Sequence, residues 1–165
     1  MKIICLLFVS ILILSADFFA QNNLNDAKIE KELIGVWQAS PSVASGMNDN
    51  YQFFGNGRYK FNYNQMNGEK RILSHSGNWQ IKDGNLILTL EEIEIIIGGN
   101  LEKANGSTAT DFEIIGGNFL KKKVLPVEKI KLSLEKIVKA DFQNTTTING
   151  TKYWKLSNDP KTYEN

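Results

Sequence analysis

Few residues of this sequence could carry out chemistry, and its single histidine is the first to weigh. His75 lies between Ser74 and Ser76, an arrangement that could indicate a general base beside a nucleophilic hydroxyl. Neighbouring residues of a β-strand point to opposite faces, however, so adjacent Ser and His side chains do not form a catalytic dyad. We interpret His75 as an exposed or hydrogen-bonded strand histidine and expect no catalytic residue in this chain.

A group of carboxylates follows at Glu91, Glu92 and Glu94, which could be acid/base groups or calcium ligands. Glu92 and Glu94 would share one face of a strand. The alternating acidic loop and the glycine of a calcium site are both missing beside them. The pattern therefore favours solvated strand charges that discourage edge-to-edge pairing.

The composition gives little support for a metal, a cofactor or nucleic acid. Cys5 and His75 are each the only residue of their kind, so a site of several His or Cys ligands cannot be assembled. The glycine pairs at 98–99 and 116–117 lack the spacing and the lysine of a phosphate-binding loop. The net charge of +1 argues against nucleic acid. The one basic run, residues 121–123, is interpreted as a solvated strand or loop, with an anionic ligand or surface as the alternative.

The first twenty residues have the pattern of a secretory signal peptide. Lys2, the apolar run over residues 3–14 and Ala20 before a polar segment match the basic, hydrophobic and cleavage regions. Cleavage after Ala16 is the alternative. A membrane anchor is less favoured, because Asp17 interrupts a stretch that is too short to span a bilayer.

Removal of this leader predicts an exported protein in the periplasm, at the cell surface or outside the cell, without stable membrane insertion. Taking residues 1–20 from the 165 leaves 145, an ordinary length for one domain over residues 21–165. Cys5 is lost with the leader, so we expect neither a disulfide nor thiol catalysis.

After the leader, the spacing of apolar residues changes from a helical to a strand pattern. A short amphipathic helix is predicted over residues 25–34, and a first strand over residues 33–39. Further along, the apolar residues shift from even to odd positions at Glu91 and Glu92. A one-residue shift of this kind indicates a bulge or a turn, which bends a sheet toward closure.

Four hairpins are predicted from β-prone runs joined by turn residues such as Gly-Asn-Gly, Asp-Gly and Asn-Gly. A flexible loop is expected over residues 98–107, before the third of them. The paired strands are expected at residues 51–54 and 58–64, 72–82 and 85–90, 108–115 and 119–125, and 145–148 and 151–156.

The segment 127–142 fits two patterns. Ile130, Leu132 and Leu134 alternate as in a strand, whereas other apolar residues fit a helical stripe. A strand over residues 128–134 is favoured, with the helix left open. The count is then about eight to ten short strands, which predicts an all-β antiparallel barrel or sandwich.

Several of these strands resemble the lipocalin-like (calycin) domains of exported bacterial proteins. The resemblance rests on Gly35-x-Trp37, two Tyr-x-Phe strands, Gly77-x-Trp79 and Leu86-x-Leu88, and covers roughly residues 33–90. It implies an antiparallel lipocalin-like barrel with a short N-terminal helix. Gly35 would let backbone or a ring approach closely, and Trp37 would plug the closed end of the barrel.

The chain also departs from that family. The arginine that packs over the first-strand tryptophan has no counterpart, and Lys155 would be a poorer stacking partner. The architecture serves carriers, inhibitors and a few enzymes, so a transport function does not follow from it.

The aromatic residues of the predicted strands are the one enrichment with functional potential. On the inside of a barrel they would either pack as a core or line a pocket that carries hydroxyl groups. The expected cavity residues are Tyr51, Phe53, Tyr59, Phe61, Tyr63, Trp79 and Leu88.

Two functions follow from those alternatives. The first is a non-enzymatic binding protein that holds a small apolar or amphipathic ligand inside the barrel. The second is a protein-interaction or inhibitor module that uses the barrel surface and has a filled core. A hydrolase or isomerase is a distant third.

Overall fold

A computed structural model describes residues 25–40, 45–106, 109–140 and 142–163. The predicted signal peptide lies outside these residues. Within them, residues 25–33 form a helix, α1, and the rest of the regular structure is antiparallel β-sheet. The strands are β1 (Gly35–Ala39), β2 (Asn50–Phe53), β3 (Arg58–Asn62), β4 (Ile72–Lys82), β5 (Asn85–Lys103), β6 (Phe112–Leu132), β7 (Thr145–Ile148) and β8 (Thr151–Ser157).

The helix α1 packs against the turn between β4 and β5. The carboxylate of Asp26 accepts hydrogen bonds from the backbone N–H groups of Asp83 and Gly84, at 2.9 and 3.0 Å. Leu33, at the end of the helix, is fully buried in the core. In the described part of the chain, no helix is both long and apolar enough to cross a membrane.

The strands lie in the order β6-β5-β4-β3-β2-β1-β8-β7, and every pair of neighbours is antiparallel. The all-β prediction is confirmed. The predicted closed barrel is not established, because β6 and β7 are the two ends of the sheet and do not pair as strands. The segment after β6 does reach β7, through isolated bridges from Leu134 to Ile148 and from Val138 to Thr145.

The predicted bulge lies between β4 and β5. Gly77 pairs with Leu90 while Ser76 pairs with Glu92, so Glu91 is an extra residue in β5. A Cβ atom at Gly77 would overlap the carbonyl oxygen of Thr89. The bulged backbone can therefore approach β4 only because residue 77 has no side chain.

The third predicted hairpin is wrong. The predicted hairpin covers residues 108–125, and its described residues 109–125 do not fold back on themselves, because β6 is one strand that pairs along the length of β5. Gly117 lies inside the ladder opposite Gly98 rather than in a turn, and the expected loop at 98–107 is strand up to Lys103. The strand favoured for residues 128–134 is confirmed as far as Leu132, the end of β6.

The pairing register produces a two-sided sheet. Side chains directly opposite one another in antiparallel strands share a face. One row across the strands is Trp37, Tyr51, Phe61, His75 and Ile93, and it faces the hydrophobic core. The neighbouring row, here called the polar row, faces the other way and consists of Gln38, Asn50, Asn62, Ser74, Glu94 and Lys121.

Candidate functional site

The predicted cavity residues meet in one cluster on the core face of the sheet. Six of them are buried members of a single hydrophobic core that also contains Trp37 and Tyr153, and Tyr63 is half-buried against it. The six are Tyr51, Phe53, Tyr59, Phe61, Trp79 and Leu88. Alternation along the strands therefore identified residues that lie together, because β2, β3 and β4 are neighbours in the sheet.

The rings of this cluster contact one another directly. Tyr51 is central: its ring lies 5.2 Å from Phe53, 4.5 Å from Phe61 and 5.3 Å from Tyr153, measured between centroids. Phe53 continues the contacts to Trp79 at 4.9 Å. These separations are those of packed aromatic pairs, so the rings occupy the space between the strands that they come from.

His75 belongs to the cluster, which sequence reasoning missed. Its ring stacks on Phe61 at 4.9 Å and 23°, and its Nδ1 atom lies 3.1 Å from the hydroxyl oxygen of Tyr59. Burial lowers the pKa of His75 to about 4. The imidazole is therefore neutral at neutral pH and acts as a hydrogen-bonding member of the core. The sequence does contain a signal for this position. His75 alternates with Gly77, Trp79 and Ile81, so these residues share one face of β4.

Four tyrosine hydroxyl groups lie close to one another in the core near His75. Burial raises the pKa of Tyr51, of Tyr59 and of Tyr63, and raises the pKa of Tyr153 to about 12. All four phenols are therefore protonated at neutral pH and can donate hydrogen bonds. Among the described residues, the hydroxyls of Tyr51 and Tyr153 have no hydrogen-bond partner.

Trp37 and Gly35 lie beside α1 and β8. The indole Nε1 of Trp37 donates to the carbonyl oxygen of Leu33 at 2.7 Å, which ties β1 to the end of the helix. A Cβ atom at Gly35 would overlap the carbonyl oxygen of Ser157, so the expected close approach of backbone at this glycine is confirmed. The ammonium group of Lys155 lies 5.4 Å from the Trp37 ring centroid and donates to the carbonyl oxygen of Glu32 at 2.9 Å. Lys155 therefore covers the tryptophan in the absence of an arginine.

The cluster can bind and position, but it has few groups for proton transfer or nucleophilic attack. The neutral imidazole is its one base, and Ser74 points away on the polar row, where its hydroxyl donates to Glu94 at 3.1 Å. In the part of the chain that the structure describes, no three His, Cys, Asp or Glu side chains are grouped to hold a metal ion. Comparison of the chain with protein-family models, with curated proteins and with solved structures gave no match.

Proposed function

We propose that this protein is an exported, non-enzymatic interaction module that binds a partner protein at the β5–β6 hairpin and uses its aromatic interior as a core. One observation carries the proposal: the interior rings pack against one another, whereas exposed large apolar side chains concentrate on β5 and β6. An exposed apolar surface of this kind is typical of an interaction site.

The hairpin extends beyond the rest of the sheet. Pairing with β4 ends at Ile95, so residues 96–103 and 112–119 form a two-stranded arm. The arm carries four exposed apolar side chains besides Phe119, and Leu101 is the most exposed of them at 56%. The four are Ile97, Leu101, Phe112 and Ile115.

The outer edge of β6 is open to another strand. Ile114 donates to the carbonyl oxygen of Gly68 at 3.0 Å, and beyond that bond no described residue pairs with the backbone of residues 115–132 on this edge. An open edge can accept a strand from a partner, with main-chain hydrogen bonds for affinity and side chains for specificity. We infer an extended segment that carries acidic and apolar residues, because Lys121, Lys122 and Lys123 lie along this edge.

A second copy of this chain fits the edge poorly. Antiparallel pairing of two β6 strands about their centres would place the two lysine runs opposite each other, and like charges directly opposite are destabilising. The lysines therefore disfavour self-association while they favour an acidic strand.

The proposal can be tested with two synthetic strands, one alternating Glu with Val and one alternating Lys with Val. We expect the acidic peptide to slow amide hydrogen exchange at residues 117–127 and the basic peptide to have no effect. The double variant Lys122→Glu, Lys123→Glu should reverse this preference. The matched control, Lys129→Glu with Lys131→Glu, changes the same charge elsewhere on β6 and should keep it. Equal effects of the two peptides, or no protection by either, would contradict the proposal.

A ligand inside the core is the second candidate, and the hydroxyl groups of Tyr51 and Tyr153 favour it. Neither has a hydrogen-bond partner among the described residues, so each could bond to the polar end of an amphipathic molecule. Intact-mass measurement of the purified protein under native conditions tests this candidate. A retained adduct of lipid size would support a carrier. Protein without an adduct that also does not bind hydrophobic dyes would support the interaction module.

Two further parts of the proposal are a lipocalin-like closed barrel and export. Closure is supported by four backbone hydrogen bonds of 2.8 to 2.9 Å between residues 133–138 and residues 145–149, which would complete the ring from β6 to β7. Slow amide exchange at Glu135 and Val138 is the expected result. For export, N-terminal sequencing of the secreted chain should begin at Gln21, or at Asp17 if cleavage follows Ala16.

A further inference from the structure

A groove of about 560 Å³ lies over the polar face of the sheet, and Tyr63 of the aromatic cluster is among the residues that line it. Lys60 and Asn62 of β3, Ser74 of β4 and Glu94 of β5 form its floor, and the loop 63–70 forms one wall. Phe119, on the arm, borders the groove as well. Asn62, Ser74 and Glu94 belong to the polar row, and Lys60 lies on the same face two residues before Asn62, so polar side chains from three neighbouring strands converge there.

The floor residues are held in place by neighbouring side chains. Asn62 donates from Nδ2 to Asn50 at 3.0 Å and to Gln52 at 3.3 Å, and Ser74 donates to Glu94 Oε2 at 3.1 Å. Asn50 and Gln52 are themselves almost fully buried, so they give Asn62 a rigid support. Binding at this floor would therefore need little ordering of side chains.

These bonds leave a mixed set of groups for a ligand. Among the described residues, nothing donates to Oδ1 of Asn62 or to Oε1 of Glu94, and Lys60 has no ion pair. The floor thus offers two acceptors and one charged donor. A ligand with several hydroxyl groups can satisfy both kinds, because each hydroxyl both donates and accepts.

The aromatic ring at the border is 73% exposed, the most exposed large apolar side chain of the arm. The negative face of a phenyl ring attracts the weakly positive C–H groups of a flat, partly apolar molecule. A pyranose ring has such a C–H face together with hydroxyl groups around its edge. Phe119 and the floor would therefore contact different sides of the same ligand.

Other ligand classes fit the groove less well. A phosphate or nucleotide would meet the carboxylate of Glu94, and the second cation, Lys70, already lies 3.8 Å above the ring of Tyr63. A lipid chain would bury the polar floor without hydrogen bonds, which is costly. An uncharged polyhydroxylated ligand avoids both penalties.

We propose that this groove binds a carbohydrate, with a pyranose ring on Phe119 and its hydroxyls bonded to Asn62, Glu94 and Lys60. Phe119 belongs to β6, but the polar groups of the groove come from β3, β4 and β5 and are not those of the β6 edge. The site therefore does not depend on the interaction proposed above.

The test is a titration of the ¹⁵N-labelled purified protein with four soluble hexasaccharides, built from glucose, xylose, mannose and N-acetylglucosamine. We expect at least one of them to shift the amide resonances of Asn62, Ser74 and Glu94. Phe119→Ala should weaken that binding about tenfold, and Phe119→Tyr should retain it. Glu94→Gln should also weaken it, since a carboxylate accepts stronger hydrogen bonds than an amide does.

The matched control is Leu120→Ala, which removes the neighbouring exposed side chain of β6 and should leave affinity within about twofold. Amide spectra of each variant check that the sheet is intact. The proposal is overturned if none of the four sugars shifts the floor amides at millimolar concentration, or if affinity survives Phe119→Ala. A shift of the same amides by the Glu-Val peptide but not by any sugar would also overturn it.

Discussion

His75 and Tyr59 lie on adjacent strands, and their hydrogen bond of 3.1 Å joins two groups that are both uncharged at neutral pH. The phenol can donate to Nδ1, or the imidazole can donate to the phenol, depending on the tautomer. Phe61 stacks on a face of the imidazole ring, and burial in the core favours the neutral base. The histidine therefore makes the stability of the fold depend on pH.

The first prediction concerns acid. The folded pKa of His75 is about 4, below the value of about 6.5 for an exposed imidazole, so the unfolded chain binds the proton first as pH falls. The stability from the neutral imidazole is present above pH 6.5 and is lost between pH 6.5 and 4. We expect wild type to lose roughly 3 kcal/mol more than His75→Asn across this range, measured by urea unfolding. Parallel pH profiles for the two proteins would contradict the prediction.

The second prediction concerns the lysine above Trp37. Lys155→Met removes the contact with the indole ring and the hydrogen bond to Glu32, and should cost about 1–2 kcal/mol of unfolding free energy. Lys152→Met is the matched control, because Lys152 lies over the more accessible Trp154 at 5.1 Å and is itself exposed. Its cost should stay below about 0.5 kcal/mol. Equal losses from the two substitutions would show that the Trp37 contact has no special role.

The third prediction concerns Gly77. A methyl group there would overlap the Thr89 carbonyl, so Gly77→Ala should destabilise the protein by about 3 kcal/mol or more, because the bulge must shift. Gly84→Ala tests a glycine with open space around its missing side chain, and only its positive φ of 70° should oppose the change. Its cost should be about 1 kcal/mol. Thermal or urea unfolding of both variants decides the comparison, which fails if Gly84→Ala is the more damaging.

The fourth prediction separates a packed core from a cavity. Phe61→Trp adds volume where Tyr51, Tyr63 and His75 already contact the ring, so it should destabilise the protein by about 1–3 kcal/mol. A chain with an empty interior would accept the larger ring with little loss of stability. Tyr63→Trp is the control at a half-buried position and should cost less.

The sequence predicted those parts of the fold that local residues determine. The turns after Phe54, at Asp83-Gly84 and at Asn149-Gly150 were predicted correctly, because each contains a glycine with positive φ, which is a local requirement. The aromatic cluster was also predictable, since alternation places every second residue on one face.

The third hairpin was predicted wrongly because of glycines that lie inside the paired strands β5 and β6. Gly98 and Gly116 have positive φ, as turn glycines do, but they lie within a continuous ladder. A Cβ at Gly117 would overlap Ile96, so this glycine permits close approach of two strands. A glycine inside a ladder differs from a turn glycine only in the strand that it faces. The sequence of one strand does not show which strand is its partner. The outer groove was missed for the same reason, because its floor combines residues from β3, β4 and β5.

The bulge at Glu91 changes which positions of β5 point toward the core. Before it, Leu86 and Leu88 point inward from even positions, and after it Ile93 takes the inward place opposite His75. If Glu91 were paired regularly instead of being bulged out, every later residue of β5 would change face, which would carry Glu94 toward the aromatic rings and Ile93 toward the outer groove. The bulge, accommodated by a glycine on the facing strand, thus keeps apolar side chains of β5 on one side of the sheet and charged ones on the other, although the apolar residues change from even to odd positions.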